Sequence, residues 1–331
     1  MISKGEWLLL LGSMLVAGAL YNHYMGHSAL LVEIVMVAVG CALAIYAAKV
    51  LAVPEEEAAH GILVDILCRF FPKERCRTVI PMLGFLLLFA WSTWKIVVNG
   101  ETNLQMEDFI VTLLGLSLVV YYSGPSAFAD VKDFVVLYLT FLTVVFVIIW
   151  RTYYLVTGES HYEITSYAEY YTVTVPVVAF LDLLGFHVTA ILELDGIGLA
   201  NIIEYVHDGS LLRLGIGVGC SGLYSAGLFF SAFLAFVLVR YRKLDRYIGV
   251  GLCAGLLVTW ASNIIRMTIT IMTGIAYGHP ALAFVHSYIG ILIFVGCITV
   301  FWLLIVRWLD KKEGFDQKPA APAEAAAPAG E

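Results

Sequence analysis

The sequence predicts an all-α integral membrane protein of roughly eight transmembrane helices, with an outer interfacial helix and a small extracytoplasmic strand-and-turn cap. Three observations carry that prediction. The chain is 331 residues long, 61% hydrophobic and only 14% charged, with a mean hydropathy of +0.89, which is too apolar for an ordinary soluble globule. Apolar runs long enough to cross about 30 Å of hydrocarbon recur along it. Basic residues gather in alternate loops, the signature of a fixed membrane orientation.

The runs lie near 7–22, 29–53, 79–98, 109–123, 133–156, 221–239, 247–273 and 285–307. The first opens with Lys4 before an apolar stretch. Ala17-Gly18-Ala19 makes a poor cleavage site there, so it is read as a retained helix and not a signal peptide. Arg69, Lys73, Arg75 and Arg77 mark one cytoplasmic loop, Arg240, Arg242, Lys243 and Arg246 a second, and Arg307, Lys311 and Lys312 the cytoplasmic end of the last span. The loops Glu101–Asp108, Glu159–Glu169 and Gly274–Ala283 are acidic or neutral and are expected outside. Both termini are then cytoplasmic.

Residues Tyr171–Phe186 are apolar enough to suggest another span, but the stretch is short and carries Pro176 and Asp182. Counting it would turn the basic loop Arg240–Arg246 outward, so it is read as an amphipathic helix on the outer interface. From His187 to Gly219, short apolar stretches alternate with turn residues, which reads as strands and turns. The tail 314–331 is Ala/Pro-rich with scattered charge, cannot bury a core, and is expected to be a disordered cytoplasmic extension.

A formal net charge of −7 and the absence of a basic patch interleaved with aromatics argue against nucleic acid as a partner. The six cysteines show no metal-ligand spacing; Cys41, Cys253 and Cys297 lie inside apolar runs, where cysteine behaves as a small hydrophobe. His23 and His27 have the i, i+4 spacing of a metal pair but lack a third ligand nearby, so no metal and no cofactor are expected. Glu55, Glu56 and Glu57 read as a solvated cytoplasmic face, and Glu33 in the second span has no assigned role.

Chemistry concentrates near the outer ends of the last three spans. Cys220, in Gly217-Val218-Gly219-Cys220-Ser221-Gly222, immediately precedes a helix, beside its unpaired N–H groups and the positive end of its dipole. Both favour a thiolate, and a cationic neighbour favours it further. The flanking glycines leave bare backbone for an extended peptide to approach. The same stretch formally matches GxGxxG, but a membrane span follows it and Arg240 and Arg242 stand where an acidic residue should, so a dinucleotide site is rejected. Arg266, about 19 residues into its span, is expected close to the outer boundary at ~1.5 Å per residue, with Asn263 one turn earlier able to orient the guanidinium. An arginine at an outer end runs against the positive-inside bias and signals function by default. His286, expected to open the last span, can exchange a proton near neutral pH. Taken singly, each has an ordinary reading: a small core thiol, a snorkelling arginine, a hydrogen-bonded interfacial histidine. Their coincidence at one membrane face suggests thiol chemistry.

In order and spacing, Leu183-Leu184-Gly185, Cys220-Ser221-Gly222, Asn263-Ile264-Ile265-Arg266 and His286-Ser287-Tyr288-Ile289-Gly290 resemble the exosortase/archaeosortase family of membrane-embedded cysteine transpeptidases. The resemblance divides the chain into an N-terminal membrane region of about five spans (1–156), an exosortase-like catalytic membrane domain (157–313) and the tail (314–331). It implies cleavage of membrane proteins bearing a C-terminal sorting signal made of a short motif, a transmembrane helix and a basic cluster. The product passes through a thioester to an acceptor amine, expected on a membrane lipid. By that resemblance Cys220 is the nucleophile, Arg266 the oxyanion or thiolate stabiliser and His286 the acid/base, with Asn263, Ser221 and Gly222 supporting. Members often carry an acidic residue or alanine just before the cysteine and an arginine soon after it; this chain has Val218-Gly219 and Tyr224. Two readings from other classes remain: a multi-pass transporter using Arg266 to bind an anion, though polar residues at mid-membrane are sparse, and a non-catalytic surface-polymer assembly factor.

Overall fold

The computed structural model describes residues 8–16, 19, 30–51, 61–67, 69–98, 105–122, 128–158, 162–195, 198–207, 209–217 and 222–313. The helices, in order, are α1 (residues 8–16), α2 (Leu30–Leu51), α3 (Ile62–Leu67), α4 (Lys73–Thr93), α5 (Met106–Val119), α6 (Ala129–Thr143), α7 (Ile149–Thr157), α8 (Tyr162–Glu169), α9 (Val175–Leu183), α10 (Leu223–Tyr241), α11 (Arg246–Tyr277), α12 (His279–Phe284) and α13 (Gly290–Glu313). Single π turns at Trp94–Val98, Val144–Ile148, Tyr170–Thr174 and Val285–Ile289 extend α4 and join α6 to α7, α8 to α9 and α12 to α13. Five helices among the described residues are long and apolar enough to cross a membrane: Arg75–Ile96, Ala129–Thr157, Leu223–Tyr241, Arg246–Tyr277 and His279–Lys312. Their apolar side chains stay largely on the surface, as with Leu292, Val300, Leu303 and Leu304 on α13, which is the pattern of helices solvated by lipid.

Several elements depart from expectation. The run near 109–123 folds as α5, only 14 residues long, rising about 21 Å and falling short of a bilayer core. The helix expected at Tyr171–Phe186 begins earlier, at Tyr162, and is continuous through its π turn to Leu183. The last helix begins at His279, so His286 does not open it but lies inside it. Pro280 accounts for the earlier start: it sits at the first helical positions after Gly278, where its missing N–H costs nothing.

The chain divides into two compact units: Met1–Glu159 with Ser231–Arg242, and Ser160–Phe230 with Lys243–Glu331. In the first, α4 and α5 approach through Gly84 and Gly115; a Cβ on Gly84 would stand 2.5 Å from the Gly115 carbonyl oxygen. Such close backbone approach between small residues is how helices associate where lipid removes the hydrophobic drive. Charged groups tie this unit at buried points. Asp108 accepts from Lys95, from Trp91 Nε1 at 2.9 Å and from the Gln105 N–H at 2.6 Å. Asp133 accepts from the Tyr121 hydroxyl and, at 2.5 Å, from the Ile62 N–H that starts α3.

The second unit holds the candidate site. Between α9 and α10 the chain forms a three-stranded antiparallel sheet in the order β1-β2-β3, with β1 Thr189–Asp195, β2 Gly198–His207 and β3 Ser210–Ile216. Alternation fixes the register: Ile203 pairs with Ala190 and Leu214, and Asn201 with Leu192 and Ile216. One face, with Ile203, Tyr205 and Ile216, packs on Val173, Val177 and Leu181 of the preceding helix and on Ile264, Met267 and Ile271 of α11. The other face carries Arg213, which donates to Glu204 and Glu193 at 2.7 Å each; those carboxylates push its guanidinium pKa up from an already high value.

Candidate functional site

Three segments remote in sequence meet around the middle of α11. This helix is fixed at its start by Asp245, whose carboxylate accepts from the Tyr247 and Ile248 N–H groups at 2.9 and 3.0 Å. It ends at Gly278, with φ +78° in the left-handed region. The 32-residue helix is far longer than a bilayer needs, because its last turns are covered by protein: a Cβ on Gly274 would sit 3.1 Å from the Tyr205 hydroxyl, and His207 Nδ1 bonds the Ile275 carbonyl at 2.7 Å. The step from Arg246 to Arg266 climbs about 30 Å at ~1.5 Å per residue, one hydrocarbon thickness.

Arg266 is half-buried, and its Nη2 donates to Asn263 Oδ1 at 2.9 Å, one turn back on the same face. Asn263 is 3% exposed. Beyond it lies Gly222, at the start of α10, whose carbonyl accepts the first helical bond from the Ala226 N–H at 2.9 Å. Gly222 has φ +79°, and a Cβ there would meet Asn263 Cγ at 2.7 Å and Nδ2 at 2.9 Å. Only glycine serves both demands: it adopts the left-handed turn without cost and leaves room for the amide.

On the opposite flank, Arg266 packs against Gly290, where an added Cβ would be 2.9 Å from Arg266 Cδ and 3.0 Å from Cγ. Gly290 closes the π turn of the last helix, its N–H bonding the Val285 carbonyl, and His286 is carried on that turn. The extra residue of a π turn shifts the angular register of the side chains that follow, and such turns favour functional sites. Here one turn presents both the glycine that receives the arginine stem and the histidine. His286 is half-buried and within electrostatic range of the Arg266 guanidinium.

Gly222, Asn263, Arg266 and His286 therefore share one locality. Cys220 and Ser221 lie outside the described residues, as do His23 and His27; the helical position of Glu33 is described but its side chain is not. Gly290 stands in the sequence only as the last residue of the His286 motif, without a role of its own, because a glycine in an apolar run carries no sign of what will press against it. Among the described residues, no group of three or more His, Cys, Asp or Glu side chains could hold a metal ion. What gathers at the site is donors and cations: a guanidinium, an amide N–H, an imidazole and a helix N-terminus. Such a set stabilises negative charge on sulfur or oxygen. Comparisons with known protein families, with curated proteins and with solved structures find no match.

Proposed function

We propose that this chain is a cysteine-type peptidase/transpeptidase of the cell membrane, resembling the exosortase/archaeosortase family. It would cleave a C-terminal sorting signal from surface proteins and transfer the product to an acceptor, a membrane lipid amine. The observation that carries this reading is the meeting of Gly222, Asn263, Arg266 and the His286 turn at one place in the second unit. Two peptide links separate Cys220 from Gly222, so covalent geometry alone keeps their Cα atoms within about 7.6 Å.

His286 takes the thiol proton of Cys220, and the thiolate, favoured by Arg266 and the start of α10, attacks the scissile carbonyl carbon. The carbonyl π electrons move to oxygen, and the resulting oxyanion collapses with breakage of the C–N bond. His286 returns the proton to the leaving amine, and a thioester remains. An acceptor amine then attacks that thioester, gives its proton to His286 and releases Cys220 as the thiol. Basic residues at the start of α11, and Arg266 one bilayer thickness further on, favour the extracytoplasmic face for this chemistry. The test is Cys220→Ala and Cys220→Ser in a host expressing a tagged protein with a motif, one apolar helix and a basic C-terminal cluster. Processing stops in both variants if the reading is right; processing at the wild-type rate in either removes it.

A further inference from the structure

Two cations converge on one ring where α11 begins and α13 ends. The Arg246 guanidinium carbon lies 4.9 Å from the centroid of the Tyr247 ring, and Lys312 Nζ lies 5.6 Å from it. Trp308, one turn before Lys312, meets the same ring edge-on, with centroids 5.9 Å apart and planes at 78°. Arg246 Nη2 also donates to the Tyr247 hydroxyl at 3.0 Å, which leaves that hydroxyl its own proton to give. Each cation gains from the ring, but the ring neutralises neither. Among the described residues, neither Arg246 nor Lys312 pairs with a carboxylate. The adjacent Asp245 is engaged elsewhere: its Oδ1 accepts from two N–H groups at the start of α11, and Lys243 stands 3.9 Å from its Oδ2. Lys312 suits the negative end of the α13 dipole, whereas Arg246 opens α11, whose positive end disfavours a cation. The Trp308 indole N–H has no acceptor among the described residues, unlike those of Trp91 and Trp260, which donate to Asp108 and to the Thr172 carbonyl. What assembles is a set of donors lacking an acceptor.

We propose that this end of α11 and α13 binds the phosphate of an anionic phospholipid, whose oxygens accept from Arg246, Lys312, the Tyr247 hydroxyl and the Trp308 N–H. The guanidinium offers a fork of donors and the ammonium a point charge, and one anion between them relieves the repulsion of the two cations. A lipid fits better than a free phosphate because the donors run directly into apolar surface. Val250, one turn in from Tyr247, is 58% exposed, and Leu304, one turn before Trp308, is 62% exposed. The same two helices thus meet first a headgroup and then an acyl chain. Tyr and Trp rings belong at headgroup depth, and basic pockets between membrane helices take anionic headgroups. The site owes nothing to the peptidase reading and stands or falls apart from it.

The test is native mass spectrometry of the full chain in detergent micelles, titrated in turn with phosphatidylglycerol, phosphatidylcholine and inorganic phosphate. The variants are Arg246→Gln, Lys312→Gln and the two combined. Arg213→Gln is the control, because it removes the same charge from a guanidinium already held by Glu204 and Glu193. Wild type should bind a first phosphatidylglycerol about tenfold or more tighter than phosphatidylcholine, as expected for two basic residues near an anionic headgroup. Each single variant should weaken that binding about fivefold and the double variant about 25-fold, with Arg213→Gln unchanged. Equal affinity for the two lipids in wild type, unaltered phosphatidylglycerol binding in the double variant, or an equal loss in Arg213→Gln overturns the proposal. Inorganic phosphate bound as tightly as phosphatidylglycerol overturns it too, by assigning the donors to a soluble anion.

Discussion

Replacing Gly222 by alanine probes the joint between the start of α10 and α11. At φ +79° an L-residue is strained by about 1–2 kcal/mol. Its Cβ would also stand 2.7 Å from Asn263 Cγ, 2.9 Å from Nδ2 and 3.0 Å from Cβ, distances that require the asparagine to move. Asn263 is 3% exposed and bonded to Arg266, so moving it breaks a hydrogen bond to a charged group, about 1.5–3 kcal/mol. Together the loss is about 2.5–5 kcal/mol. The assay is unfolding of the purified protein in mixed micelles on SDS titration, followed by tryptophan fluorescence, for Gly222→Ala, Asn263→Ala and the double variant. Removing the amide relieves the two shortest contacts but neither the 3.0 Å approach to Cβ nor the backbone strain, so a coupling of about 1.5–3 kcal/mol is expected between the two sites. Strictly additive effects, or wild-type stability in Gly222→Ala, would refute the packing of the amide on the glycine.

Other outcomes follow from buried groups and cysteine placement. Lys95→Met strands the Asp108 carboxylate, 4% exposed, and should destabilise the first unit by about 3–5 kcal/mol. Adding Asp108→Asn should recover part of that in the same SDS titration, and an undiminished loss in the double variant would show that the pair is not what Lys95 contributes. Tyr121→Phe removes the donor to Asp133 and should cost about 1.5–3 kcal/mol, while retention of full stability would mean the carboxylate is satisfied without it. In intact cells a membrane-impermeant maleimide should label Cys220 ahead of every other cysteine. Cys76 is 0% exposed and Cys253, though exposed, lies in the apolar first half of α11, where lipid excludes the reagent. Labelling of Cys220 only after permeabilisation would invert the proposed orientation.

Much of the site's layout is legible in the sequence because its parts are local. Asn263 and Arg266 stand three residues apart on one helix, and that spacing alone brings an amide oxygen to a guanidinium. The alternation of apolar and polar residues in Ile191-Leu192-Glu193-Leu194-Asp195 similarly announces a strand, and a sheet is found there. The errors arise where hydropathy is mute. It stops the last helix at the edge of its apolar run, whereas hydrogen bonding and Pro280 carry the helix back to His279. It counts 109–123 as a span, though the helix there is 14 residues long. It gives no hint of π turns, which depend on one misplaced backbone bond and not on side-chain polarity.

What the sequence determined by itself is the solvent: a chain this apolar, with helices of this length, satisfies its backbone internally and buries itself in lipid. It also set the local chemistry of each motif, since helix spacing and glycine conformation are properties of a few adjacent residues. Tertiary structure alone decided that Gly222, Asn263, Arg266 and the His286 turn meet, and that the Asn263 amide packs against the Gly222 backbone. Those facts depend on which helices pack together and on where a π turn re-aims a side chain, and such contacts between segments distant along the chain leave no periodic trace in either segment.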